Sequence, residues 1–381
     1  MRIGIDTSTI SKNKAGVGYF TYSLTKALIE NNPDNQYLLY TNDYKNLSEF
    51  EIYENVEIVE FKSEKPGFNW IRQSAKHANK NTDIFISTAN FTFGILCRNC
   101  VQIVHDLAPI KYPKFFPSKG VFMYKLLLNL ALKRVKAVAV PLESIRDEVI
   151  EYYPKIKERI YVIGEGLHVW GASDLSSEKI LEVKRKYSLP DKYFLTIGTL
   201  EPRKNHKNII KAFNEFIKNT SYTDKNTYED QDSQFYYVIA GKKGWFYDEI
   251  FSEVKKLKLE KKIIFLSYVP EEDLAAVYAN STVFVFCSFY EGFGLPLLEA
   301  ASRKLPIVCS DIPQFREIFK NMDSGTKNVV NFVDPEDPEN ILNGLKMAVE
   351  QKSVDYNDVL FKYSWENTAK NLNDILQTPK I

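Results

Sequence analysis

The chain is poor in cysteine, in excess charge of either sign and in long apolar runs, and each shortage removes a class of protein. Four cysteines in 381 residues are too few to staple a chain of this size, so stability has to come from packed cores. Cys97 and Cys100 form one C-x-x-C, but Cys287 and Cys309 fall on separate predicted strands. No second pair therefore stands at metal spacing, and reduced thiols are a better reading than a zinc or redox site. Lys and Arg number 50 against 49 Asp and Glu, for a net charge of +1, without the basic excess of a general nucleic-acid binder. No uninterrupted apolar run reaches the roughly 20 residues that a spanning helix needs. The opening "MRIGID" goes directly into a predicted strand with no basic-then-apolar leader, which makes the cytoplasm the expected location.

What is present points to two domains. The chain is long for one core, and its hydrophobic content of 44%, with 23 Tyr and 25 Phe, supplies material for more than one. Short β-branched and aromatic runs predict strands at Arg2–Asp6, Gln36–Thr41, Val56–Phe61, Asp83–Ser87, Val101–His105, Ala137–Val140 and Ile160–Ile163. Helical periodicity fits Val17–Glu30, Trp70–Lys80, Ser118–Lys136 and Glu143–Tyr152. From Gly164 to Pro190 a turn-rich piece gives way to the charged helix "SSEKILEVKRKY". A second alternating series follows, with strands at Tyr193–Gly198, Phe235–Ala240, Ile263–Leu266, Val283–Cys287, Ile307–Ser310 and Val329–Val333. Asp337 before Pro338 is a cap and first-turn proline for a helix to Glu350. Such alternation is the mark of the α/β class, here two doubly wound parallel-sheet domains facing a cleft. The expected division is 1–168, a linker at 169–190, 191–360, and a last helix in 361–381 packing back toward the first domain.

Three strand-to-helix loops carry the chemistry. The first, "TSTISKNKAGVGYFTYSL", brings Gly16 and Gly18 to a helix start, where backbone amides suit anions. It lacks the spacing of a dinucleotide fingerprint, and alone it also reads as a flexible turn. The second, "GTLEPRKNHKN", sets Arg203 beside Lys204 ahead of a helix that Asn205 could cap, an arrangement suited to a pyrophosphate. The third, "FYEGFGLPLLEAA", puts Glu291 and Glu299 either side of a Gly-Phe-Gly turn. Carboxylates accept hydrogen bonds from vicinal hydroxyls, and the amides of Gly292, Phe293, Gly294 and Leu295 suit phosphate oxygens. His105, in "VQIVHDLAP", ends a central strand beside Asp106 and is a further candidate.

The ordered set "AGVG", "VHDL", "GTLEPRKN", "AGKKGW", "YEGFGLPLLEA" and "VDPEDPENI" resembles the retaining glycosyltransferases of family 4, group 1, with the two-Rossmann GT-B architecture. The resemblance runs from residue 1 to about residue 350. It implies hexose transfer from a nucleotide diphosphate sugar to a glycan or lipid-linked glycan. Arg203 and Lys204 would hold the diphosphate, Glu291 the donor sugar and Glu299 the ribose. His105 would lie near the reacting face, with Gly16 and Gly18 near the phosphates. "AGKKGWFYDEIF" and "SDIPQFREI" look most like mannosyl-type enzymes of surface-polysaccharide and lipopolysaccharide assembly, so GDP-mannose is the first donor expected and a UDP-hexose the second. No cofactor beyond that substrate and no nucleic-acid partner are expected.

The chain also departs from the family pattern. Cys287-Ser288 stands where Pro-Ser is usual, Lys304 where Gly is common, Pro141 for a usual Ser, and "VIGEGLHVWG" is unusual near the hinge. Asp230-Gln231-Asp232 resembles the metal-binding triplet of the other major glycosyltransferase fold, but it sits in a polar stretch that reads as a solvated loop. No metal site is expected. The diphosphate charge would instead fall to Arg203, Lys204 and backbone amides. The helix "KGVFMYKLLLNLALKRVKA", Lys119 to Ala137, joins a broad apolar face to several cations. It reads as a domain-covering helix first and as a peripheral contact with the inner face of a membrane second. A sugar-nucleotide epimerase and a non-catalytic nucleotide-sugar-binding protein of the same fold are the competing functions.

Overall fold

Parallel strands buried on both faces need continuous apolar runs, and such runs alternate with helices in each half of the computed structural model. It describes residues 1–12, 16–167, 175–220, 234–320, 330–351 and 353–378. The chain divides into two units, Met1–His168 with Lys362–Ile381, and Val169–Phe361.

In the first unit, strands β1 (Arg2–Asp6), β2 (Gln36–Thr41), β3 (Val56–Glu60), β4 (Ile84–Ser87), β5 (Cys100–Ile103), β6 (Ala137–Val140) and β7 (Ile160–Val162) form one parallel sheet in the order β3-β2-β1-β4-β5-β6-β7. Ile3 pairs with Tyr37 on one side and Ile84 on the other, so the strand order reverses about β1 and β4. Helices α1 (Gly16–Asn31), α2 (Phe68–Asn81), α3 (Phe91–Leu96), α4 (Ala108–Lys111), α5 (Ser118–Leu132) and α6 (Glu143–Tyr152) connect these strands.

The second unit repeats the plan with β8 (Lys192–Ile197), β9 (Phe235–Ala240), β10 (Ile263–Ser267), β11 (Val283–Phe286), β12 (Ile307–Ser310) and β13 (Val330–Val333), ordered β10-β9-β8-β11-β12-β13. Its helices are α7 (Ser177–Lys186), α8 (His206–Thr220), α9 (Asp248–Lys256), α10 (Glu271–Ala279), α11 (Leu295–Ser302), α12 (Pro313–Ile318) and α13 (Pro338–Glu350). Helix α14 (Asn357–Lys362) leads out of this unit, and α15 (Trp365–Leu376) belongs to the first. There the Trp365 ring meets Phe20 of α1 edge-on at 5.5 Å.

Three expectations need correction. Much of the stretch read as a linker, 169–190, is structural: α7 is part of the second unit. Lys179, Lys186 and Tyr187 converge on Asp273 of α10, whose side chain is 1% exposed. A buried carboxylate needs partners, and the charged helix supplies them. The helix expected to reach Lys136 stops at Leu132, because the Lys136 amide donates to Cys100 O at 2.9 Å and turns the chain into β6. His105 lies beyond β5, which ends at Ile103. The 3₁₀ stretch Tyr44–Ile52 has no periodic apolar signature and is unread in the sequence. Residues 168–174, Asp230-Gln231-Asp232 and Val329 lie outside the described residues.

Candidate active site

In an open parallel sheet, ligands bind past the carboxyl ends of the strands where the order reverses. In the second unit that point lies between β8 and β11, and the two loops that follow these strands carry Arg203, Lys204 and Glu291. After β8 the chain makes a single 3₁₀ turn, Pro202–Lys204, then passes through Asn205 at φ +59° into α8. Asn tolerates this left-handed geometry better than most residues. Its side chain does not cap the helix: Nδ2 donates to Cys287 O at 2.9 Å and to Pro335 O at 2.6 Å, tying together the loops after β8, β11 and β13. The Phe289 amide donates to Arg203 O at 2.9 Å, a second tie between the first two loops.

On this frame four charges meet. Arg203 Nη1 donates to Glu291 Oε2 at 2.7 Å and to Tyr290 O at 2.8 Å, while Nη2 reaches Glu201 Oε1 at 2.7 Å. Lys204 Nζ donates to Glu291 Oε1 at 2.6 Å and lies 4.8 Å from the centre of the Phe286 ring. Burial works against the Glu291 charge, but Arg203 and then Lys204 outweigh it and hold the carboxyl down at about 2. Burial raises the Glu201 carboxyl and lowers the Lys204 ammonium from their ordinary values. Glu291, expected against a sugar, thus sits with both oxygens on the cations expected to hold phosphate. Glu201 received no role in the sequence reading, although it stands in the quoted "EPRKN" and is itself buried.

Glu299 is carried by α11 itself. Because α11 begins at Leu295, Glu299 sits beyond the first turn, where the amide dipole does less for a carboxylate. It accepts a hydrogen bond from the buried Tyr278 hydroxyl at 2.6 Å. Gly294 precedes the helix at φ +121°, and a Cβ there would stand 2.9 Å from Phe315 Cε1, so both backbone and packing require glycine. Phe293 is buried beside it. At the other end of α11, Lys304 takes φ +57°, its amide donating to Ala301 O and that of Leu305 to Ala300 O. This is a left-handed helix ending usually occupied by glycine.

The first unit holds the remaining candidates. His105 Nε2 lies 2.7 Å from Thr88 O, at the end of β4, and Nδ1 lies 3.6 Å from Glu165 Oε1, in the loop after β7. Phe20 of α1 meets the imidazole edge-on at 4.6 Å. Burial opposes the charged ring, but Glu165 more than compensates and the His105 pKa is raised; burial raises Glu165 as well. Glu165 escaped the sequence reading, its one signal being the unusual "GEG" that encloses it. Gly16 opens α1, with open space among the described residues where a Cβ would stand, and Gly18 is buried two residues on. Asp6, at the end of β1, accepts from the Ser8 hydroxyl at 2.6 Å, and burial pushes its carboxyl up to about 6.

All four cysteines are free and buried, and burial pushes the Cys97 thiol up to about 12, so none is a ready nucleophile. Among the described residues no group of three or more His, Cys, Asp or Glu side chains is placed to hold a metal ion, and no helix is long and apolar enough to cross a membrane.

With this geometry in hand, comparison with known proteins is specific. The model of the family described as glycosyl transferases group 1 matches residues 178–374. O-antigen chain mannosyltransferase B of Escherichia coli is 29% identical over 297 residues, covering 74% of this chain and 72% of that one. O-antigen chain mannosyltransferase RfbU of Salmonella typhimurium is 27% identical over 312 residues, 81% and 77% of the two chains. Among solved structures, Anabaena Alr3699/HepE in complex with UDP and glucose aligns with a TM-score of 0.74 at 15% identity over 99% of each chain. At that identity the likeness is one of fold, two Rossmann-like parallel-sheet domains of the GT-B kind.

Proposed function

The chain belongs to the group 1 glycosyl transferases, and from that premise we propose that it is a retaining family 4 enzyme that moves a hexose, mannose first, from a nucleotide diphosphate donor to a glycan or lipid-linked glycan of a surface polysaccharide. The observation that carries this reading is the Arg203–Lys204–Glu291 cluster at the strand-order reversal of the second unit. The mannosyltransferase relatives supply the sugar and the polysaccharide setting, with GDP-mannose as donor and a UDP-hexose as the second choice.

In the proposed transfer the bond between the anomeric carbon and the leaving phosphate oxygen breaks, and the acceptor hydroxyl bonds to that carbon from the same face. The hydroxyl proton passes to the departing phosphate oxygen. Arg203 and Lys204 meet the charge that develops on the diphosphate, aided by the amides of Gly292 to Leu295 at the start of α11. Glu291 contacts the donor sugar and keeps both cations oriented. Glu299 binds ribose hydroxyls, Gly16 and Gly18 lie by the phosphates, and His105 is the first unit's contribution. Removing either cation should cost about 2–4 kcal/mol of barrier, as loss of a preorganised charge stabiliser does elsewhere.

The test is product analysis with GDP-mannose and UDP-hexoses on a lipid-linked acceptor. Expected are retention of the donor's anomeric configuration by NMR, activity that survives EDTA, and free nucleotide diphosphate only when acceptor is present. An inverted product, or loss in EDTA with rescue by Mn²⁺ or Mg²⁺, would overturn the mechanism. Isomerised donor without acceptor would favour the epimerase.

A lipid-linked acceptor gives a use to the outer face of α5. Val121, Leu128, Ala131 and Leu132 are buried, but Phe122, Met123, Leu126 and Leu130 are exposed, Phe122 at 66%. Lys119, Lys125, Lys133 and Arg134 are exposed around them, and the stretch from Ser118 to Lys136 contains no acidic residue. The covering-helix reading leaves those four apolar side chains without a role. A peripheral contact with anionic lipid at the inner face of a membrane gives them one.

A further inference from the structure

The His105 ring is held at both nitrogens, which constrains its protons. A carbonyl oxygen only accepts, so the 2.7 Å contact with Thr88 O requires a hydrogen on Nε2. The only nitrogen left to titrate is Nδ1, and it faces Glu165 Oε1 at 3.6 Å. A neutral ring would turn the Nδ1 lone pair toward an ionised carboxylate that is 5% exposed. Two acceptors facing each other in a buried place are unfavourable, and one proton between them removes the conflict.

The backbone around Glu165 is shaped to keep it there. Gly164 takes φ +81°, and a Cβ on Gly166 would run into the backbone nitrogen and ring of Trp365. Asn371 Nδ2 donates to Ile163 O at 3.1 Å, and the Leu167 amide donates to Tyr363 O at 3.0 Å. The loop is thus clamped on either side of the carboxylate by the segment that carries α15. The charged groups acting on the ring are Glu165 and its own neighbour Asp106, both of which favour the imidazolium; Thr88 O and the Phe20 ring carry no charge.

We propose that Glu165 is a positioning residue for His105, holding a proton on Nδ1 so that the ring serves as a fixed positive charge and not as a proton acceptor. This rests on the assignment of His105 to the donor sugar. It also agrees with a transfer in which the leaving phosphate, and no side chain, receives the acceptor's proton.

The experiment is ¹⁵N NMR of histidine-labelled protein without substrate, in wild type and Glu165→Gln. The chain has only four histidines, and the His105 signals are assigned by their absence from H105Q. In wild type both His105 nitrogens should carry protons at neutral pH. In E165Q the amide keeps a hydrogen bond without the charge, so the ring should become the neutral Nε2–H form, its titration moved at least tenfold in proton concentration toward acid. Turnover of E165Q should fall most above pH 7, with KM little changed. A neutral His105 in wild type, or identical titrations in the two proteins, would overturn the proposal whatever the donor turns out to be. The expected titrations with unchanged E165Q turnover would instead remove His105 from the reaction.

Discussion

Lys204 Nζ and Glu291 Oε1 stand 2.6 Å apart although 87 positions separate them in the chain. The contact joins the loops that follow two adjacent strands, and it makes the two cations and the carboxylate one electrostatic unit. Its pH dependence follows. The Glu291 carboxyl falls from an ordinary 4.5 to about 2 on folding. The stability it contributes is therefore full above pH 4.5 and lost as pH falls toward 2, with an upper size on the order of 3 kcal/mol. Glu291→Gln should lower the melting temperature at pH 7, with a gap from wild type that narrows below pH 4.5 and closes only as pH falls through about 2. It should also lower turnover more than donor affinity. A gap independent of pH would contradict the pairing.

Glu299 should behave differently. Its carboxylate accepts a hydrogen bond from the buried Tyr278 hydroxyl at 2.6 Å, which orients it. Glu299→Gln is expected to raise the donor KM, by about 1.5–3 kcal/mol of lost charge-assisted hydrogen bonding, with turnover little changed. Tyr278→Phe should produce the same shift at smaller size, about 1 kcal/mol. Steady-state kinetics on both variants check this, and a Tyr278→Phe effect confined to turnover would separate the two residues.

Lys304 bears a backbone cost that glycine would not. At φ +57° a side chain is disfavoured by roughly 1–2 kcal/mol, part of which glycine returns through its freer unfolded chain. Lys304→Gly should therefore stabilise the protein by about 0.5–1 kcal/mol in urea unfolding, with catalysis unchanged. Destabilisation would show that the lysine side chain contributes more than its backbone costs.

The α5 face predicts salt-sensitive binding to vesicles. Liposomes rich in anionic lipid should co-sediment the protein at low salt and release it at high salt, while neutral liposomes should not. Replacing Phe122 and Leu126 together by Ser should weaken binding at every salt concentration, because it removes the apolar part of the contact. Equal sedimentation with neutral vesicles would remove the electrostatic half of the argument.

Much of the fold was legible in the sequence. Five strands, β1, β2, β6, β9 and β12, keep their predicted ends because apolar runs bounded by turn residues leave little room for shift. The charged helix α7 was legible as a helix but not as part of the second unit, because periodicity shows charge but not the buried Asp273 that answers it. Within the site, "EPRKN" and the glutamate pair marked the residues, but their partners depend on three-dimensional register. Asn205 reads locally as a cap, and only the strand order shows that its amide serves carbonyls after β11 and β13. Glu165 was illegible for the same reason: its partner His105 reaches it across the sheet, from β5 to β7.

The crossing from β8 to β11 also sets an order of events during synthesis. β11 pairs directly with β8, yet β9 and β10 come between them in the chain. Contacts this distant in sequence pay their loop-closure cost before any reward, and they form late. On the ribosome, a nascent chain that has just released β10 carries Arg203 and Lys204 with Glu201 but without Glu291. The cation loop can take its final shape only when β11 has emerged and slotted in beside β8. A fragment ending before that strand should fold poorly and should have no anion site, however much of its sheet has formed.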